Sequence, residues 1–300
     1  MTGSVLIAGA SGRFGSNAAK AFEAAGWTVR HYRRLEETLL EAAKGMDVIV
    51  NALNPQNYKN WEAEIPRITQ EVLKAATAHG ATVLVPGNVY NFGVQQGPWS
   101  ETTPQRPNTI KGRVRVEMEE AYRASGVQTI ILRSGDFIDA GATGTWLDLV
   151  CYKGLAKGKF TYPGNPDIAH SWGYLRDLGR AGVALVERRE ALETFTDVSF
   201  EGFTVTGQEI ANTLGHLLGR EIKLAKMPWW PIRLASPFWG LGRELLEMRY
   251  LWDHPHGLSG ARFAALVPDF ETTSLRDALA ASLPVDVHPK ETVIRAETFA

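Results

Sequence analysis

The start of the chain fits few folds. Ser4-Val5-Leu6-Ile7-Ala8 is a short apolar run, partly β-branched; Gly9-Ala10-Ser11-Gly12-Arg13-Phe14-Gly15 follows without a break; Ala18, Phe22 and Ala25 then recur at helical spacing. A buried strand, a glycine turn and a helix in that order open a parallel βαβ unit. Each glycine has its own task. Gly9 turns the chain sharply off the strand, Gly12 removes a Cβ so that backbone N–H groups can approach a phosphate, and Gly15 lets helix and strand pack closely. The helix start adds unpaired N–H groups and partial positive charge. Gly9, Ser11, Gly12, Arg13, Phe14 and Gly15, spaced G-x-x-G-x-x-G, are therefore expected to hold the pyrophosphate of a dinucleotide.

The next strand, Trp27–Tyr32, ends in Arg33-Arg34. Dinucleotide folds of this type carry an acidic residue near here for the ribose hydroxyls. Two guanidinium groups would instead bind a 2′-phosphate, which favours NADP over NAD. The other reading is a solvated strand end, with Arg33 or Arg34 paired to Glu36 or Glu37. Leu35–Ala43 reads as a helix and Asp47–Asn51 as a strand. The interval between Arg34 and Asp47 is too short for another strand and helix, so one strand of the usual six-stranded order is expected to be missing or vestigial.

Strand–helix alternation continues. A polar loop, Asn51–Tyr58, leaves a strand end and offers Asn51, Ala52 and Leu53 to a ligand; a helix begins at Pro66, an allowed first-turn position, and runs to His79. Ala81–Val85 is a strand, and Gly87 and Asn88 lie in the loop after it. Lys111–Ser125 is a helix, Val127–Leu132 a strand, and Ser134 and Phe137 follow at its end. This pattern predicts an α/β fold: a Rossmann-type, doubly wound parallel sheet with a smaller, mostly helical C-terminal substrate domain. The expected division is 1–160 for the dinucleotide-binding domain and 161–300 for a substrate or lid domain interleaved with it, residues 194–200 returning to the sheet as a last strand.

Composition narrows the function. Three hundred residues, 44% of them apolar, are enough for a large core, and the formal net charge of −1 argues for neither a nucleic-acid nor a membrane partner. The single cysteine, Cys151, excludes a disulfide framework and a cysteine-based zinc site. With no leader and no membrane span read, a cytoplasmic location is expected. Asp253-His254-Pro255-His256 lacks further ligands, and no metal is expected. The stretch Met227-Pro228-Trp229-Trp230-Pro231-Ile232-Arg233, with Pro237-Phe238-Trp239 after it, reads as a small core or lid, the aromatic wall of a substrate pocket, or a membrane-surface helix interrupted by its prolines.

Together, Gly9–Gly15, Asp47–Leu53, Val83–Gly93 with its Val89-Tyr90, the helix bearing Glu117, Glu119 and Glu120, Leu132–Phe137 and the helix around Asp177 resemble the extended or atypical short-chain dehydrogenase/reductases. The resemblance is to the nucleotide-sugar epimerase/dehydratase and NmrA-like kinds. It implies hydride transfer between a nicotinamide and a carbonyl or hydroxyl carbon of a small substrate. It also implies a homodimer through helices 66–79 and 111–125.

The chain departs from the family's Ser/Thr, Tyr and Lys. Counting along the motifs puts Pro86, Thr109 and Arg113 at those three places. Thr109 has a hydroxyl but no pKa near neutrality, and Arg113 suits a ribose. A shifted alignment, resembling the isoflavone-reductase type, matches Lys111, Arg115 and Glu119. The candidate catalytic residues are therefore Lys111, Tyr90 and Thr109. Arg113 joins the cofactor set with Gly87, Asn88, Ser134 and Phe137. The implied function is an NAD(P)-dependent oxidoreductase or epimerase-like enzyme. The alternatives are a catalytically silent NADP-binding sensor and a nucleotide-sugar epimerase or dehydratase.

Overall fold

A computed structural model of the protein describes residues 2–55 and 60–287. The first half runs β1 (Ser4–Ala8), α1 (Arg13–Ala24), β2 (Thr28–His31), α2 (Leu39–Ala42), β3 (Val48–Asn51), α3 (Trp61–His79), β4 (Thr82–Gly87), α4 (Ile110–Ala124) and β5 (Thr129–Arg133). The second runs β6 (Asp136–Ile138), α5 (Trp146–Leu149), β7 (Lys159–Tyr162), β8 (His170–Tyr174), α6 (Leu175–Glu187), β9 (Phe195–Ser199), β10 (Phe203–Val205), α7 (Gly207–Leu218) and β11 (Lys223–Lys226). Helices α8 (Trp230–Ala235), α9 (Gly240–Met248), α10 (Ala261–Leu266) and α11 (Leu275–Ser282) complete it.

The main sheet has six parallel strands in the order β2-β1-β3-β4-β5-β9. The inner strands β1, β3 and β4 are mainly apolar on both faces because both faces are covered, whereas the edge strand β2, Thr-Val-Arg-His, is partly exposed. Val5, Ile7, Val48 and Val50 pack on the side of α1 and α6, while Leu6, Ile49, Val83 and Val85 pack on the side of α3 and α4. This is the expected doubly wound arrangement. Between β2 and β3 there is only α2, so β2 remains at the sheet edge.

Two expected helix boundaries are corrected. The helix read over Leu35–Ala43 is only Leu39–Ala42. Thr38 caps it, accepting the Glu41 N–H, while the Glu41 carboxylate accepts the Thr38 N–H. Pro66 is not in a first turn. The helix starts at Trp61, whose buried ring extends the Ile65, Ile68 and Val72 stripe back by a turn and outweighs the one ladder bond that Pro66 removes. The Gln56–Tyr58 part of the loop after β3 lies outside the described residues.

The chain leaves the main sheet at β6 and re-enters it through α6 and β9. The excursion builds a three-stranded sheet, β10-β8-β6, and the pair β11-β7. Around these lies a second core that includes Leu147, Phe160, Tyr162, Trp172, Ile210, Leu214, Trp252 and Leu279. Thus β6 and α5 belong with the second core, and α6 and β9 with the first.

Candidate active site

The glycine turn has the expected construction. Gly9 has φ +95°, and a Cβ there would lie 2.6 Å from the Ala52 carbonyl oxygen. A Cβ on Gly12 would lie 3.2 Å, and one on Gly15 2.2 Å, from the Gly9 carbonyl oxygen. That oxygen accepts the Gly12 N–H at 2.9 Å. Gly12 is the N-cap of α1, with no side-chain cap and no acid in the first turn. The positive end of α1 is therefore uncompensated by the helix itself. Ser11 is exposed, whereas the Phe14 side chain is buried in the core between α1 and the sheet. The Arg13 guanidinium donates to the carbonyls of Thr143 (3.3 Å) and Gly144, strapping the loop after β6 to the turn.

Other predicted residues gather at the same C-terminal edge of the sheet. Asn51 is buried; its amide donates to the Tyr122 hydroxyl at 2.8 Å and its Oδ1 accepts the Leu53 N–H at 3.3 Å, which shapes the Ala52-Leu53 turn against Gly9. Burial pushes the Tyr122 phenol up, so it stays a neutral partner. Gly87 leaves the space that β5 needs, since a Cβ would strike Ile131 at 2.7 Å. The Asn88 side chain accepts the Tyr90 N–H at 2.9 Å. Ser134 is buried and Phe137 half-buried. Arg33 and Arg34 are exposed at the end of β2, pairing with Glu36 (3.2 Å) and Glu64 (3.8 Å). Arg33, Glu36 and Glu37 border an open hollow of about 650 Å³ along β2.

Helix α4 divides the remaining candidates between two faces. Thr109 is its N-cap, with the hydroxyl accepting the Gly112 N–H at 3.0 Å. Thr109 and exposed Arg113 line a hollow of about 460 Å³ with Leu246, Glu247 and Tyr250. Lys111 and Arg115, four residues apart, lie on the opposite, inward face. Arg115 donates to Asn54 at 3.1 Å and stacks 4.9 Å from the Trp61 ring centre; Trp61 also donates to Asn54, at 3.0 Å. The Lys111 ammonium is 5.9 Å from the same ring, and the Tyr90 ring lies 6.5 Å from it. Helix α9 closes over Lys111, giving its ammonium two carboxylates, Glu244 and Glu247. The structure thus brings together Lys111, Arg115 and Tyr90 and sets Thr109 and Arg113 apart from them.

Sequence reasoning missed Glu244 and Glu247; their i,i+3 spacing on a short amphipathic helix places both on one face but does not point to Lys111. It also missed the role of Arg133. This fully buried guanidinium binds Glu119 (3.0 and 2.8 Å), Asp197 (2.6 Å) and the Asn88 carbonyl (2.7 Å). A second group surrounds His170, whose Nε2 is 2.8 Å from Asp136 and whose ring stacks on Trp252 at 4.2 Å. Among the described residues no group of three or more His, Cys, Asp or Glu is arranged to hold a metal.

The whole described fold superposes on solved structures of nucleotide-sugar enzymes. MoeE5 in complex with UDP-glucose and NAD is 17% identical, with a TM-score of 0.74 over 93% of this chain and 97% of that one. UDP-glucose 4-epimerase from Brucella ovis in complex with NAD is 18% identical, with a TM-score of 0.71 over 94% and 97%. The NAD-dependent NDP-hexosamine 5,6-dehydratase TunA is 14% identical, with a TM-score of 0.70 over 94% and 96%. No protein-family model and no curated protein sequence matches the chain. At these identities the likeness is one of fold, and the fold implied by the family resemblance is the one observed.

Proposed function

We propose that the protein is an NAD(P)-dependent oxidoreductase or epimerase-like enzyme acting on a carbonyl or hydroxyl carbon of a small molecule. The turn from Gly9 to Gly15 carries this reading. Backbone fills the space of the missing Cβ at Gly9 and Gly15 and crowds it at Gly12, beneath an uncapped helix start, and such a cradle fits a pyrophosphate. The turn would hold the dinucleotide with Ala52, Leu53, Gly87, Asn88 and Ser134 around it. Arg33 and Arg34 support NADP as the preferred form, while the similar folds named above carry NAD. When bound, the nicotinamide supplies the hydride chemistry.

The chain's own part is orientation and proton handling. Lys111 is the group we assign to hold and move a proton at the substrate oxygen. Glu244 and Glu247 fix its ammonium, and Arg115 braces the loop at Asn54. Tyr90 is the second candidate; the Thr109 hydroxyl is engaged as a helix cap. A nucleotide sugar is the substrate class supported by the UDP-glucose complex of MoeE5. A homodimer would pair α3 and α4 of two copies through charged outer faces, where Arg67 sits between Glu64 and Glu71.

The burial of Lys111 beneath α9 favours one other reading, a dinucleotide-binding sensor without turnover. Equilibrium binding of NADP and NAD, followed by turnover assays with UDP-glucose and a carbonyl panel, separates the two. The enzyme binds and turns over, and Lys111→Met stops turnover while sparing cofactor affinity. The sensor binds and does nothing further. Failure to bind either dinucleotide sinks both readings.

A further inference from the structure

The segment from Ile222 to Arg243 sorts its residues by side. Trp229 and Ile232 turn inward onto the second core, as do Leu245 and Leu246 of α9. The Trp229 indole donates to the Pro163 carbonyl. Outward, Trp230 is 68% exposed, Leu234 70%, Phe238 96% and Trp239 42%. Trp230, Leu234 and Phe238 recur every four residues along α8 and the turn after it. Pro228, Pro231 and Pro237 restrict the backbone on which they stand. A firmly anchored segment therefore presents an apolar ridge to solvent, where isolated surface apolar residues would be ordinary.

The same segment carries Lys223, Lys226, Arg233 and Arg243, all exposed, and has no Asp or Glu between Glu221 and Glu244. The chain's formal net charge of −1 conceals this segregation. Aromatic side chains seat at the boundary between headgroups and acyl chains, and Lys and Arg reach anionic headgroups there. A second copy of the chain suits the ridge poorly, because a two-fold contact would face these positive charges with themselves.

We propose that α8 and the turn into α9 form a docking site for the surface of an anionic lipid bilayer. The chain lies on the membrane without crossing it; among the described residues no helix is long and apolar enough to span one. The proposal is independent of the catalytic reading.

The test is co-sedimentation of the full chain with vesicles of phosphatidylcholine and phosphatidylglycerol in equal parts, against phosphatidylcholine alone. The protein is expected to sediment with the mixed vesicles at low salt and to be released by high salt. Trp230→Ser with Phe238→Ser should lower partitioning about tenfold or more. Lys226→Gln and Arg233→Gln should each lower it about fivefold, the equivalent of about 1 kcal/mol per charge. Thermal unfolding should stay at the wild-type temperature in all of them. Wild-type protein that remains in the supernatant, or ridge variants that bind as tightly as wild type, would overturn the proposal. So would light scattering in which the ridge variants turn a dimer into a monomer and no form binds vesicles.

Discussion

Glu247 holds Lys111 twice. One carboxylate oxygen accepts the Lys111 backbone N–H at 2.9 Å, and the other pairs with the ammonium of the same residue at 2.5 Å. The backbone bond satisfies an orphan donor in the first turn of α4, at the positive end of that helix. Glu244 meets the ammonium from one turn earlier. Helix α9 is thereby fastened across the candidate active site, and Lys111→Met should release it. The two carboxylates are 28% and 23% exposed, so the loss is expected below that of a fully buried pair, at about 1–3 kcal/mol. Adding Glu244→Gln and Glu247→Gln to Lys111→Met should restore most of the stability in urea unfolding. A single variant that unfolds with the wild-type midpoint would show that the contact anchors nothing.

Arg133 ties three elements together. It ends β5 and binds Glu119 of α4 and Asp197 of β9. Burial acts to lower the proton affinity of its guanidinium, and the two carboxylates more than reverse that. Arg133→Met leaves two buried carboxylates without a cation, and the expected loss is about 3–5 kcal/mol. Arg133→Lys should recover only part of it, because one ammonium cannot reproduce the paired contacts of a planar guanidinium. Chemical denaturation of both variants checks the order wild type, Lys, Met.

The legible part of this fold was local. Ser4 to Gly15 carry strand, turn and helix signals within one short window, and the observed turn has the clashes that only glycine avoids. Capping at Thr38 and packing at Trp61 shifted two helix boundaries, because side-chain contacts outweighed propensity and proline position. The partners of Lys111 were not legible. They lie 133 and 136 residues further on, and nothing near Lys111 marks them. The role of Arg133 was not legible either, because its partners come from a helix and from a strand that pairs only after the chain has built a second core. The two faces of Trp229 and Trp230 likewise needed the packing of α8 to be told apart.

Arg33 and Arg34 should decide cofactor preference. Both are exposed, and their contacts with Glu36 and Glu64 are surface pairs of little strength, so a 2′-phosphate can displace the carboxylates. Arg33→Ala with Arg34→Ala is expected to weaken NADP binding about tenfold or more and to leave NAD binding unchanged. Calorimetric titration with both dinucleotides measures this. Equal weakening of the two would mean that the arginines do not read the 2′ position.

His256 should make stability fall on the acid side of neutrality. Its ring stacks on Trp99 at 5.1 Å and meets the edge of His170 at 4.4 Å, while its Nδ1 contacts the His254 carbonyl at 2.9 Å. Burial, and then the neighbouring His170, holds its pKa down to about 3 from an ordinary 6.5; the His254 carbonyl pulls weakly the other way. Between those two values the unfolded chain takes up a proton that the folded chain refuses. The contribution is fully present above about pH 6.5 and shrinks by on the order of 1 kcal/mol for each pH unit below it, until the folded value is reached. Asp47, which Ser4 hydrogen bonds hold below its ordinary range, adds its own loss only at lower pH. Glu41, Glu64 and Glu209, also held below their ordinary range by hydrogen bonds, begin to add theirs as the pH nears 5. The histidine's share is therefore the difference between wild type and His256→Gln in urea midpoints from pH 6.5 to pH 5. The wild type should lose stability across this window, and His256→Gln should flatten the slope. A wild-type midpoint that does not move there would mean that His256 titrates as an exposed histidine does.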